Sequence, residues 1–302
     1  VIVMKVIEKT EGKIYSFSPN HAPIYHAKSG ESLVIQTYDC FTDQIQSEKQ
    51  PLTELDWNQI NPATGPIYVE GAEPGDALKV TILAIETDVK GVMMVGPGLG
   101  TLGDQVEEMK VKVMHVRYGR VLFNQLSLPV RKMIGVIGVA PKEGEINCGT
   151  PGAHGGNMDN RMVTEGATLY FPVNVSGALF ALGDLHAAMG DGEVSVSGVE
   201  VAGAVTVKLE VVKDLKLEQP ILENARNFTQ IASAKTLDEA SQLATDLLVK
   251  RLVAYTNLSL EDALMLMSAV GHVEICQMVD PLMTVRAVFP KSILDQLETT
   301  LL

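Results

Sequence analysis

Within the eleven residues Gly183-Asp184-Leu185-His186-Ala187-Ala188-Met189-Gly190-Asp191-Gly192-Glu193, the chain concentrates four side chains able to ligate a metal, together with three glycines. Asp184 and His186 stand two apart, so on a strand they point to one face and could grip a single ion. Asp191 and Glu193 follow on a glycine-rich return that lets them fold back toward the same point. An imidazole with carboxylates is an ordinary ligand set for zinc, and an all-oxygen subset suits calcium or magnesium. The alternative is a structural turn whose aspartates make Asx-type bonds and whose histidine is half-buried.

A second polar loop, residues 144–160, holds His154, Asn157 and Asp159 beside Gly155 and Gly156. Paired glycines indicate a chain path with positive φ or close approach to a ligand. Two such loops, each with a histidine and carboxylates, read as two walls of one pocket. Asp39 is a third candidate. It ends a row of Leu33, Ile35 and Thr37 on one face of a strand, or else it opens the following loop. Cys40 adjoins Asp39 and Cys148 precedes His154, so a thiol nucleophile paired with histidine is also conceivable, although free cysteines are more often buried small hydrophobes. There is no GxSxG elbow, and residues 98–103 match GxGxxG without a helix to hold a pyrophosphate.

The elements that must position these groups are mostly strands. Alternation predicts strands over residues 1–7, 13–17, 32–40, 67–70, 77–86, 109–116, 133–139, 169–175 and 194–201, and no helical period appears before residue 236. Residues 41–66 form a long polar loop with the only tryptophan, Trp57. Thr236-Leu237-Asp238-Glu239 is a capping box opening a helix to about residue 255, and a second helix runs from Ser259 to before Gly271. Strands over 272–279 and 283–289 surround an Asp280-Pro281 turn, and a last short helix starts near Pro290. Strands first and helices late exclude a regular βαβ winding. The pattern predicts a mainly β (α+β) chain, a β-sandwich or barrel-like body over residues 1–215 with an α+β part over 216–302 that integrates with it or stands beside it.

The 302 residues carry a formal charge of -13 with 46% hydrophobic residues. That acidity argues against nucleic acid and favours cations. No apolar run approaches the roughly 18 residues that cross a bilayer, so no membrane partner is expected. Three widely spaced cysteines form no disulfide framework and fit a reducing compartment, and residues 1–10 lack the features of a signal peptide. The expected location is the cytoplasm. The expected assembly is a homodimer or higher homo-oligomer, on the general frequency of two-fold assemblies.

Residues 65–76 (Gly-Pro-Ile-Tyr-Val-Glu-Gly-Ala-Glu-Pro-Gly-Asp), His154-Gly155-Gly156-Asn157-Met158-Asp159, residues 183–193 and the tail with Val279-Asp280-Pro281 together resemble the signatures of the acetamidase/formamidase family. The resemblance implies a jelly-roll-like β body and hydrolysis of short aliphatic amides, formamide or acetamide, to acid and ammonia. Residues 129–137 lack a His-Pro-Gly run associated with formamidase-like members, which leans the expectation toward acetamide. The family's polar positions fall on Asp39, His154, Asn157, Asp159, Asp184, His186 and Glu193. Amide hydrolysis needs an activated water, oxyanion stabilisation and a proton for the leaving nitrogen. The resulting expectation is a divalent ion, zinc first, with calcium or magnesium as alternatives. Asp39, Asp184, His186, His154 and Asp159 are its candidate ligands, Glu193 the base, and Asn157 and His154 the groups that orient the amide or stabilise the oxyanion. The competing readings are a metal-free amidase using Cys40 or Cys148, and a calcium-stabilised jelly-roll binding module without activity.

Overall fold

Strict alternation in three segments builds the first layer. Leu33 and Ile35 of the strand Glu31–Thr37, Leu78, Val80 and Ile82 of Ala77–Thr87, and Val205, Val207 and Leu209 of Gly203–Val212 are all buried. In the computed structural model, which describes residues 4–302, Gly203–Val212 pairs antiparallel with both others. The sheet then continues through Thr168–Pro172, Ile221–Glu223, Asn227–Ala234 and Met283–Pro290 to His272–Gln277 at its edge, nine strands among the described residues. One sheet thus runs across residue 215. Of the strand expected over residues 1–7, residues 1–3 lie outside the described residues and Lys5–Ile7 is strand.

A second sheet, of twelve strands among the described residues, has Phe180–His186 near its middle, antiparallel to Met133–Gly138, Ala63–Val69 and Glu200–Val201. The main core lies between the two sheets, with Phe171, Val205 and Val207 from one meeting Ile67, Ile137, Phe180 and Leu182 from the other. Each such side chain contributes about 1.5–3 kcal/mol by leaving water. The strand carrying Asp184 and His186 is buried along its whole length, so its polar groups enter the interior with the hydrophobic ones.

Two helices cover the other face of the first sheet, over its C-terminal strands. Thr236 caps α1 (Leu237–Tyr255) by accepting the Glu239 N–H, and Ser259 caps α2 (Leu260–Val270) by accepting the Asp262 N–H. Ala240, Ala244, Leu248 and Leu252 recur at helical spacing and pack on Phe228, Ala232, Val285, Ala287 and Phe289. A short helix, Lys291–Gln296, follows. Among the described residues no helix is long and apolar enough to cross a membrane. The mainly β body with a mixed α+β tail is as the alternation predicted.

Two segments differ from expectation. Residues 194–201, which alternate like a strand, are a turn and irregular chain except for Glu200–Val201. Val196 has φ 74° there, a left-handed backbone outside the extended region. The loop before the strand Ala63–Val69 is folded rather than loose. Phe41, Ile45 and Leu55 form a small core with Cys40, Val92 and Met94, so this stretch brings apolar side chains to the site. Residues 98–103 close as a turn through Gly98 N–H to Gly103 O at 2.9 Å, and the next long element is the strand Lys110–Arg117, where alternation predicted one over residues 109–116.

Candidate active site

His186 ends the strand Phe180–His186 and is fully buried. Its Nε2 lies 3.1 Å from Glu200 Oε2, 3.3 Å from Asp184 Oδ1 and 3.9 Å from Asp159 Oδ1. Asp159, His186 and Glu193 offer ligand atoms all within 4.8 Å of one another, and so do Cys40, Asp184 and Glu200. Asp280 closes the cluster by accepting a hydrogen bond from Asn157 Nδ2 at 3.2 Å. Five carboxylates therefore gather around one imidazole; Asp159, Asp184, Glu193 and Glu200 are buried and Asp280 is half-buried.

The backbone is bent to achieve this. Asp159, Asp184 and Glu193 have φ of 42°, 56° and 46°. Left-handed conformations of this kind cost L-residues free energy and persist only where the surroundings enforce them. Two glycines make the room. A Cβ on Gly135 would collide with the carboxylates of Asp184 and Asp159, and one on Gly198 would strike the His186 ring. Gly198 explains why the stretch after Glu193 is not a strand: it must lie flat against the imidazole.

Electrostatics mark the cluster as incomplete by itself. Burial pushes Glu200, Glu193, Asp280 and Asp159 upward, and repulsion from Asp184 (on Glu200) or between Asp159 and its neighbours adds to it. Burial opposes charge on His186 too, but Glu200 and Asp184 outweigh it and hold the imidazolium well above its ordinary range. For Asp184 burial is likewise offset, by His186, and the net shift is downward. Several buried negative charges around a single positive one are costly unless protons or a cation compensate them. The contacts to His186 have ion-pair distances without hydrogen-bond alignment. Among the described residues Asp159 Oδ1 and Oδ2, Asp184 Oδ1, Glu193 Oε2, Glu200 Oε2 and both His186 nitrogens have no hydrogen-bond partner. Buried polar atoms left in this way call for an explanation. Either group, carboxylates with an imidazole or carboxylates with a thiol, could hold a divalent cation.

A cavity of about 220 Å³ opens on the cluster. Asn157, Asp184, Glu193, Glu200 and Asp280 form its polar side, and Phe41, Trp57, Ile60, Met94 and Leu99 its apolar side.

Of the residues singled out from sequence, Asp159, Asp184, His186 and Glu193 come together, with Asn157 at the rim. Asp39 and His154 belong to neither ligand group. Asp39 Oδ1 accepts the N–H groups of Phe41 and Asp43, so it caps the loop, and burial pushes its pKa up to about 6. His154 lies edge-on to Phe17 with ring centroids 5.2 Å apart, and burial alone lowers it to about 4. Asp191, expected to fold back toward His186, turns to Arg286 and Arg161 instead. The cysteines are buried, and burial raises the thiols of Cys40 and Cys148, which disfavours the thiolate that a nucleophile requires. Sequence reasoning missed Glu200 and Asp280 as site residues. A signal for Asp280 existed in the Val279-Asp280-Pro281 turn, whereas Glu200 had none beyond its place in an alternating run.

A buried histidine with carboxylates at the end of a β-strand, beside a small half-apolar cavity, is a candidate site for a small molecule. The Acetamidase/Formamidase family profile matches residues 4–148 and 147–296, and the chain belongs to that family. Its structure is similar to that of a predicted acetamidase/formamidase from Thermoanaerobacter tengcongensis, at 52% identity and TM-score 0.95 over 98% of both chains. It is also similar to an acetamidase from Bacillus halodurans, at 45% identity and TM-score 0.94 over 97% of this chain and 99% of that one. A formamidase from Methylophilus methylotrophus is 26% identical over 265 residues, 68% of this chain but 65% of its own length. The chain thus spans just under two thirds of that relative.

Proposed function

We propose that the chain hydrolyses short aliphatic amides, acetamide or formamide, to carboxylate and ammonia at the cluster around His186. The observation that carries this reading is the set of unpaired buried carboxylate and imidazole atoms facing a small cavity, in a chain of the acetamidase/formamidase family. Asp159, Asp184 and His186 are the proposed ligands of a divalent cation, with Glu200 and Cys40 completing the donor set, and zinc is the first choice because nitrogen and sulfur join the oxygens. Asp39 and His154 stay outside that set as supports of the loops.

When bound, such a cation supplies Lewis-acid polarisation of the amide carbonyl and makes water more acidic. Glu193, raised by burial and by Asp159, is suited to take a proton from the attacking water and return it to the departing nitrogen, so that amide and water become acid and ammonia. Asn157 Nδ2 holds Asp280, and its buried Oδ1 remains free to accept the amide N–H. Phe41, Ile60 and Leu99 face the acyl chain and keep water away from it. The raised Cys40 thiol argues against the thiol-nucleophile alternative, and family membership against a calcium-stabilised binding module. Three buried free thiols support a reducing compartment such as the cytoplasm. A homo-oligomer stays part of the proposal on the general frequency of two-fold assemblies.

The test is ammonia release from formamide, acetamide and propionamide, with elemental analysis before and after chelation. Release that disappears on chelation and returns with one added metal is the expected result. No ammonia from any of the three amides would remove the reading.

A further inference from the structure

The mechanism above makes no use of Arg286, the largest fully buried side chain among the described residues. Arg286 sits in the strand Met283–Pro290, whose alternate residues Val285, Ala287 and Phe289 face the helices. Period two therefore sends its guanidinium to the opposite side. There its donors reach three separate segments. Nη1 and Nη2 donate to Asp191 Oδ1 and Oδ2 at 3.0 and 2.6 Å, a two-pronged ion pair. Nη1 also donates to Asn160 Oδ1 at 3.1 Å, and Nε to Glu274 Oε2 at 2.6 Å.

Each partner is tied to a residue of the cluster. Asp191 precedes Glu193 by two residues, and Asn160 follows Asp159 directly. Glu274 pairs opposite Arg286 in the edge strand His272–Gln277, and Gln277 Oε1 accepts the N–H groups of Val279 and Asp280. The glycine loop is also stitched to that strand: Gly192 N–H donates to Cys276 O at 2.9 Å, and Met278 N–H to Gly192 O at 3.2 Å. Glu193 and Asp159 are both left-handed, so neither keeps its place by intrinsic preference, and something must hold them. We propose that Arg286 is a positioning residue whose guanidinium fork clamps the Asp191 and Asn160 segments to the edge strand, and so sets Glu193 and Asp159 against His186. The planar fork is essential: a lysine ammonium supplies the charge but cannot hold a carboxylate with two parallel bonds.

The functional half of this inference rests on the proposed amidase reading, and the test separates the two. Asp191→Asn is the first variant, because the Asp191 side chain is 30% exposed and the change preserves its shape. Arg286→Lys is the second. In both, kcat falls about 10- to 100-fold, the range for residues that orient catalytic groups, with KM within about twofold. Amide hydrogen exchange accelerates at Gly192 and Met278 and stays at wild-type rates in α1. Wild-type kcat in both variants, or faster exchange spread evenly into the helices, overturns the clamp. If the wild-type protein releases no ammonia at all, the amidase reading fails, and exchange alone decides: faster exchange confined to residues 190–193 and 276–280 supports the clamp, unchanged exchange overturns it.

Discussion

His186 and His154 are both buried, both come from glycine-rich segments, and both have carboxylate residues close by in sequence, yet the fold gives them opposite characters. His186 is held among Asp159, Asp184 and Glu200 and is driven toward the charged form. His154 lies against Phe17, no carboxylate offsets its burial, and it is driven toward the neutral form at about 4. The carboxylate nearest to His154 in sequence, Asp159, turns away to join His186. Sequence neighbours thus determine the supply of polar groups in a loop, while the direction of each side chain determines which of them interact.

The comparison breaks most visibly at His186. His186→Ala is expected to lose both amide hydrolysis and bound metal, read by ammonia release and elemental analysis. If both survive, the site is elsewhere. Glu193→Gln should separate chemistry from binding: kcat falls about 10²–10⁴-fold, as for loss of a general base, while bound metal is retained. An unchanged rate takes Glu193 out of the mechanism.

The smallest effect on activity belongs to His154. His154→Phe should keep metal content and hydrolysis within about an order of magnitude, since no ligand group includes it, but should alter the acid limb of stability. Lowered from 6.5 to about 4, the buried imidazole binds fewer protons than its unfolded counterpart between those values. The stability associated with the neutral ring is therefore complete above about pH 6.5 and is lost as pH falls through 4, by up to about 3 kcal/mol. Urea unfolding of wild type and variant from pH 7 to 4 measures this. Parallel curves would mean that His154 is not the apolar, uncharged group described above.

Much of this site was legible because it obeys short-range geometry. Asp184 and His186 meet as two residues of one face of a strand, and the capping residues Thr236 and Ser259 mark where the helices begin. Glu200 was hidden inside residues 194–201, whose alternation matches a strand. The segment is turned instead by the left-handed Val196 and by Gly198 lying against the His186 ring, contacts that do not exist until the sheet has formed. Asp280 and Arg286 come from the far end of the chain; the Val279-Asp280-Pro281 turn marks Asp280 as a motif residue, but no local pattern places either side chain near the His186 cluster.

By itself, then, the sequence determined the mainly β architecture with late helices, the family, and the two polar segments that supply most of the cluster, because periodicity, capping and motif spacing are properties of neighbouring residues. Only the tertiary structure decided which histidine joined the carboxylate cluster, that Asp39 caps a loop, and that Glu200 and Asp280 close the cluster, because those outcomes depend on burial and on groups brought together from distant strands.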